Sequence, residues 1–165
     1  MGQDKHKIYN VSNQSIEQAK KVRARNKKSL GLIDGGANGG LRGPDMRILD
    51  ETDRKVQVTG ITSHQLQDKT IVRCAAVSPD SKGNEYLLIY PEYANTPEQK
   101  TSIHSCTQLR ANKVEVNDVS VMAGGKQYIK MPKGTIFPLI IENGLCFLPQ
   151  RYPTDEDLRT FPQQV

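Results

Sequence analysis

The chain contains no tryptophan, and only nine of its 165 residues are aromatic: three Phe and six Tyr. A large aromatic core is excluded. A mean hydropathy of −0.60 with 36% apolar residues leaves a modest one. The length fits one domain with an appended arm. Long apolar runs are missing too. The longest, "TIFPLII" at 135–141, is seven residues long and carries a proline, against the roughly 20 apolar residues that span a bilayer. No membrane partner is expected. The first ten residues, "MGQDKHKIYN", hold no apolar signal core, and His6 stands where a myristoylation pattern needs Ser or Thr. Asn10-Val11-Ser12 and Asn13-Gln14-Ser15 match the glycosylation acceptor, a match with little weight when no secretory signal accompanies it. Cysteine is scarce. Cys74, Cys106 and Cys146 are odd in number and widely spaced, which is neither a disulfide framework nor a zinc pattern. They read as three idle thiols, with no metal site and no cofactor expected.

Charge of one sign is missing from most of the chain. Residues 1–29 hold Lys5, Lys7, Lys20, Lys21, Arg23, Arg25, Lys27 and Lys28 against Asp4 and Glu17, a balance of +6 within a whole-chain +5. Residues 30–165 therefore carry −1 together. The organisation expected is a basic N-terminal arm at 1–29 and a domain with a C-terminal extension at 30–165. Within the arm, Ser15 with Gln18 fits a helix-capping box ahead of good helix formers. Lys20, Lys21, Arg23, Arg25, Lys27 and Lys28 are candidate nucleic-acid contacts through phosphates, with a solvated leader as the equal alternative.

From residue 30 onward the sequence reads as strands and turns. "SLGLID" is a short strand. "MRILDETDRKVQVTGI" reads as a hairpin, with a polar turn at 50–54 and Val56, Val58 and Ile61 along the return strand. "KTIVRCAAV" and "NEYLLIYPEYA" are strands joined by the turn-rich "SPDSKGN". "SIHSCTQLRAN" is the one internal helical turn. "KVEVND", "KQYIKMP", "TIFPLIIE" and "GLCFLP" are short strands, and "PTDEDLRTF" closes the chain as a helical turn capped by Thr154. The class expected is mostly β, a small closed, barrel-like sheet with one short internal helix.

One stretch asks for chemistry. In "LGLIDGGANGGLRG", residues 30–43, an apolar strand ends on Asp34, and five of the next nine residues are glycine. An acid beside glycine at a strand end is often only a turn residue. But glycine lets backbone approach closely, and Asp34-Gly35-Gly36-Ala37 can form a tight loop whose amides point back at the carboxylate. Such a loop leaves room for an equivalent loop against it, and two facing carboxylates can share one proton. Asp45, Asp50, Asp53, Asp68, Asp80 and Asp118 all lack a following glycine loop. One chain holds half a site, and a two-fold axis would complete it. Asp34 is then expected on a loop exposed or facing an interface, with no Lys or Arg partner. His64 and His104 lack the spacing of a nucleophile's base, and packing is the better reading for them. Cys106 lies two residues from His104, a spacing that separates them on a helix. Tyr86, Tyr90 and Tyr93 read as packing residues.

The ordered set "LIDGGANGG", "ILDETDRKVQVTGI", "IHSCTQL" (Ser105, Gln108 and Leu109) and "FPLIIENGLCFLP" resembles the retropepsin-like aspartic protease of copia-type retrotransposon polyproteins, over residues 30–150. The resemblance implies a homodimeric aspartic endopeptidase, a hydrolase that cuts its own polyprotein. Asp34 would be catalytic, with Gly35, Gly36 and Ala37 completing the active-site loop. The hairpin around Val56, Val58 and Gly60 would be a flap closing over an extended peptide. The setting implied is intracellular, in the cytoplasm or in virus-like particles. The chain departs from the family at Gly35, where Ser or Thr is usual. That departure feeds two alternatives: a catalytically impaired binding module with an RNA-contacting arm, and a structural piece of a polyprotein.

Overall fold

The computed structural model describes residues 8–10, 29–59, 67–161 and 163–164. The basic run at 20–28, its expected helix, Gly60, Ile61 and His64 lie outside the described residues.

The class is mostly β. The strands are β1 (Ile8–Asn10), β2 (Leu30–Asp34), β3 (Gly40–Arg42), β4 (Arg47–Thr59), β5 (Gln67–Pro79), β6 (Glu85–Asn95), β7 (Ile103–Ser105), β8 (Glu115–Asn117), β9 (Tyr128–Lys130), β10 (Ile136–Pro138), β11 (Ile140–Glu142), β12 (Leu145–Pro149) and β13 (Gln163–Gln164). Two short helices, α1 (Cys106–Ala111) and α2 (Asp155–Thr160), complete the set, with a 3-10 turn at Val121–Ala123. Ten strands form a mixed sheet in the order β1-β4-β5-β6-β3-β7-β2-β12-β11, with β13 added on β6. β10, β9 and β8 form a second sheet. The expected barrel-like closure is not found: β1 and β11 end the path, and no pair joins them among the described residues.

The expected hairpin is corrected as well. No turn interrupts 50–54. β4 runs through it as one strand and pairs with β5, with register shifts between Ile48 and Asp50 and between Glu51 and Lys55. The polar run reads as a turn because it is largely exposed, yet it contains no Gly or Pro to break the strand. "TIFPLIIE" divides at Leu139 into β10 and β11, which belong to different sheets. Thr154 caps α2 as expected, in a capping box with Asp157.

β2 is central, covered on both faces. Leu30 and Leu32 join one apolar cluster with Tyr9, Ala37, Val56, Val58 and Phe147. Ile33 joins the other, with Cys74, Tyr90, Phe137 and Leu148. Each such side chain contributes about 1.5–3 kcal/mol relative to exposure. Strand periodicity puts Asp34 on the Leu30–Leu32 face.

Candidate active site

Asp34 is the last residue of β2. β7 runs parallel beside it and β12 antiparallel on the other side, and the register sets Asp34 against Ser105. The chain then turns through Gly35 and Gly36, both exposed. The Gly36 amide donates to Asp34 Oδ1 at 2.8 Å. Asp34 is nevertheless withdrawn, at 9% exposure. The exposed placement expected is thus not seen in the single chain, where β7 pairs alongside the end of β2. No side-chain or backbone donor of the described residues reaches Oδ2, and no Lys or Arg is paired with Asp34 among them.

Two side chains matched only as pattern letters hold the loop. Ser105 Oγ donates to the Ala37 carbonyl at 2.7 Å and accepts the Gln108 amide at 3.1 Å, capping α1. Gln108 Oε1 accepts the Gly40 amide at 2.6 Å, and its Nε2 donates to the Glu92 carbonyl at 2.6 Å. The Ser-x-x-Gln spacing thus ties one turn of helix to the loop and to β6.

The glycines divide into two groups. A Cβ at Gly39 would stand 2.5 Å from Tyr9 Cδ1, one at Gly40 2.5 Å from Tyr93 Cζ, and one at Gly43 2.9 Å from Ser102 Oγ. These three are small because the chain's own side chains press on them, and a neighbouring copy is not needed to explain them. Gly35 and Gly36 are open: apart from the adjoining residues, the described atom nearest a Cβ at 35 is Asp118 Oδ2 at 4.0 Å, and at 36 it is Asp34 Oδ1 at 3.4 Å.

Asp118, which sequence reasoning passed over, borders the site. Its Oδ2 accepts from Cys106 Sγ at 3.7 Å, and its Oδ1 lies 3.7 Å from Arg110 Nη2. No glycine loop marks it, so no local signal could have found it. The Cys106 thiol is pushed up to about 11, first by burial and then by Asp118, which removes it as a nucleophile. Cys74, Cys106 and Cys146 are all free and buried.

His104 is fully buried. Its Nδ1 meets Tyr93 Oη at 2.7 Å and its Nε2 meets Gln150 Oε1 at 2.8 Å. Gln150 Nε2 in turn donates to Asp45 Oδ2 at 2.9 Å, and Ser102 Oγ donates to Asp45 Oδ1 at 2.5 Å. Burial lowers the His104 pKa against the opposing pull of Gln150 and Asp45. A neutral imidazole bearing its proton on Nε2 satisfies both neighbours, with Tyr93 donating to Nδ1. This network is structural. Its ring stands so close to β2 that a Cβ at Gly31 would lie 2.5 Å from His104 Nε2.

Val56 and Val58 are buried at 2% and 0% exposure in the cluster that holds Ala37. A cleft of about 400 Å³ opens beside the loop, lined by Asn38, Glu92, Thr107, Gln108 and Asn112 among others. Asp34 does not line it. Among the described residues no group of three or more His, Cys, Asp or Glu is placed to hold a metal ion, and no helix is long and apolar enough to cross a membrane.

Compared with family models, with curated proteins and with solved structures, the chain matches none.

Proposed function

We propose that this chain is one half of a retropepsin-like aspartic endopeptidase of a copia-type retroelement polyprotein. Two copies meet about a two-fold axis through the Asp34 loop, and the paired carboxyls share one proton. One Asp34 activates water for attack on a peptide carbonyl while the other, protonated, assists the carbonyl oxygen. Gly35, Gly36 and Ala37 shape the loop, and the β4–β5 hairpin acts as the flap over an extended peptide.

The observation that carries this reading is the half-satisfied carboxylate. Oδ1 of Asp34 is held by an amide, whereas Oδ2 is withdrawn and has no donor from the described chain. A buried polar atom left in that state is costly, and a protonated carboxyl from a second copy supplies the donor. The exposed, unencumbered Gly35 and Gly36 support close approach of that copy. The basic residues Lys20 to Lys28 are proposed as phosphate contacts on RNA, tested by the salt dependence of RNA binding.

The test is cleavage of a peptide pool at mildly acidic pH, with and without an aspartic-protease inhibitor, over a dilution series of the chain. Activity per chain rises with chain concentration, is inhibited, and falls by about 10²–10⁴-fold in Asp34→Asn. Equal cleavage by Asp34→Asn rejects the assignment. Activity per chain independent of concentration rejects the dimer.

A second reading, a catalytically impaired module, has one observation in its favour. Position 35 lacks the hydroxyl usual in the family, and beyond its two chain neighbours no atom of the described residues comes closer to its missing Cβ than Asp118 Oδ2 at 4.0 Å.

A further inference from the structure

β1 is a three-residue strand separated by sequence from the rest of the fold. It lies parallel on the outer edge of β4, with Ile8 opposite Gln57, Tyr9 opposite Val58 and Asn10 opposite Thr59. One side chain anchors it. Tyr9 is completely buried, and its ring presses on Gly39, where any Cβ would overlap it. Its hydroxyl donates to the Glu92 carbonyl at 3.4 Å. Its apolar cluster includes Ala37 of the Asp34 loop, Val56 and Val58 of β4, and Leu30 and Leu32, which share the Asp34 face of β2.

A short strand added to a sheet edge and fixed by one large side chain in a pocket is how a sheet takes up an extended peptide. The partners of the segment are the surfaces assigned above to flap and loop. Glycine at 39 is required by that occupancy, since only a residue without Cβ admits the ring. The order of three residues is set against one buried aromatic ring and a short ladder, two contributions of similar size and opposite sign.

We propose that Ile8–Asn10 is a built-in ligand of a groove for tyrosine-bearing extended peptides, formed by the edge of β4, Ala37 and Gly39, and that it restrains access to the Asp34 site until displaced. The restraint rests on the peptidase reading; the docking does not. Peptides with a tyrosine or phenylalanine at the anchor position compete with the segment in trans.

The experiment uses the full chain carrying Asp34→Asn, so that binding is read without cleavage. The probe is a fluorescein-labelled synthetic peptide with the sequence of residues 5–12, KHKIYNVS, followed by anisotropy. In the Tyr9→Ala chain the groove is vacated, and the probe binds at least about ten-fold tighter than to the chain with Tyr9, a ratio equal to about 1.4 kcal/mol. Adding Gly39→Ala to Tyr9→Ala removes that binding, as does replacing tyrosine by alanine in the probe. A Tyr9→Phe chain keeps the ring and stays closed to the probe. Equal binding with and without Tyr9, or binding indifferent to Gly39→Ala, overturns the proposal. So does a Tyr9→Ala chain without a cooperative thermal transition, which would make Tyr9 an indispensable core residue. Cleavage by chains that retain Asp34 is measured separately. Probe binding without any cleavage leaves the groove standing and rejects the peptidase. Inhibitor-sensitive cleavage with no probe binding does the reverse.

Discussion

Asp34 and Asp45 are both withdrawn from solvent, at 9% and 4% exposure, and neither is paired with a Lys or Arg among the described residues. Their surroundings differ. Asp45 has each oxygen occupied, one by Ser102 and the other by Gln150, and Gln150 continues through His104 to Tyr93. Asp34 has one oxygen held by Gly36 and the other without a partner among the described residues. A buried carboxylate completed by its own chain stabilises a fold. One left incomplete costs free energy until a donor from beyond the described residues, a second copy in the dimer proposed above, completes it. Loss of the carboxylate is therefore expected to show in activity at Asp34 and in stability at Asp45.

The largest effect is expected at Asp34. Asp34→Asn keeps the shape and the acceptor for Gly36 but cannot act as a general base, so cleavage falls by about 10²–10⁴-fold. Stability measured by urea unfolding stays within about 1 kcal/mol of the parent. A large loss of stability would move Asp34 into the same class as Asp45 and erase the contrast.

Asp45→Ala is next. It strands the Ser102 hydroxyl and the Gln150 amide in a buried site, at about 1–3 kcal/mol for each stranded group, so the unfolding free energy drops by about 2–6 kcal/mol. Peptide cleavage per folded dimer is unchanged. A selective loss of activity with normal stability would reverse the roles given to the two acids.

The third prediction concerns pH. His104 belongs to the Asp45 network, and burial lowers its pKa below the ordinary value of 6.5. Below about 6.5 the unfolded chain binds a proton at this site that the folded chain refuses. Stability is therefore fully present above that pH and is lost on acidification, at up to about 1.4 kcal/mol per pH unit, until the folded value is reached. Urea midpoints between pH 5 and 8 measure the slope. A His104→Gln chain, whose amide retains one donor and one acceptor, flattens it. If Asp34 works in the pair proposed above, its mildly acidic working range is one in which the His104 network weakens.

What the sequence disclosed about these regions follows from how local their causes are. β2, β6, β12 and α2 were legible because apolar patterning and the Thr154 cap are encoded within a few adjacent residues. The Asp34 loop was legible for the same reason. The Asp45 network was not, since Asp45, Ser102, His104 and Gln150 meet only through the pairing of β7 with β2 and of β2 with β12. β3 escaped notice because "GLR" sits in a glycine run that reads as loop, yet Gly40 is glycine to admit the Tyr93 ring. β4 was cut in two because polar residues on both faces resemble a turn. The sequence pattern singled out five glycines as one feature, and packing separates them: 39, 40 and 43 accommodate the chain's own side chains, and 35 and 36 stand open.

The smallest expected effect tests that separation. Position 35 has room for a side chain, with no described residue beyond its two chain neighbours nearer than Asp118 Oδ2 at 4.0 Å, and it is not among the glycines with positive φ. Gly35→Ser therefore fits without backbone strain. The carboxylate of Asp118 is the acceptor shown beside it; the proposed brace requires the hydroxyl to reach Oδ2 of Asp34 instead. Directed to Asp34, it supplies the missing donor. A hydrogen bond to a charged group contributes about 1.5–3 kcal/mol, partly offset by holding the side chain in place, so turnover rises by roughly three- to ten-fold and the dimer persists to lower concentration. Directed to Asp118, it changes neither. Gly35→Ala separates the hydroxyl from the backbone, since any methyl substitution here stiffens the unfolded chain and adds about 0.4–1 kcal/mol of stability by itself. Gains in turnover for Ser and not for Ala attribute the effect to Oδ2 of Asp34. Equal behaviour of the two variants would mean that the hydroxyl is taken by Asp118 and that a donor at position 35 does nothing for Asp34.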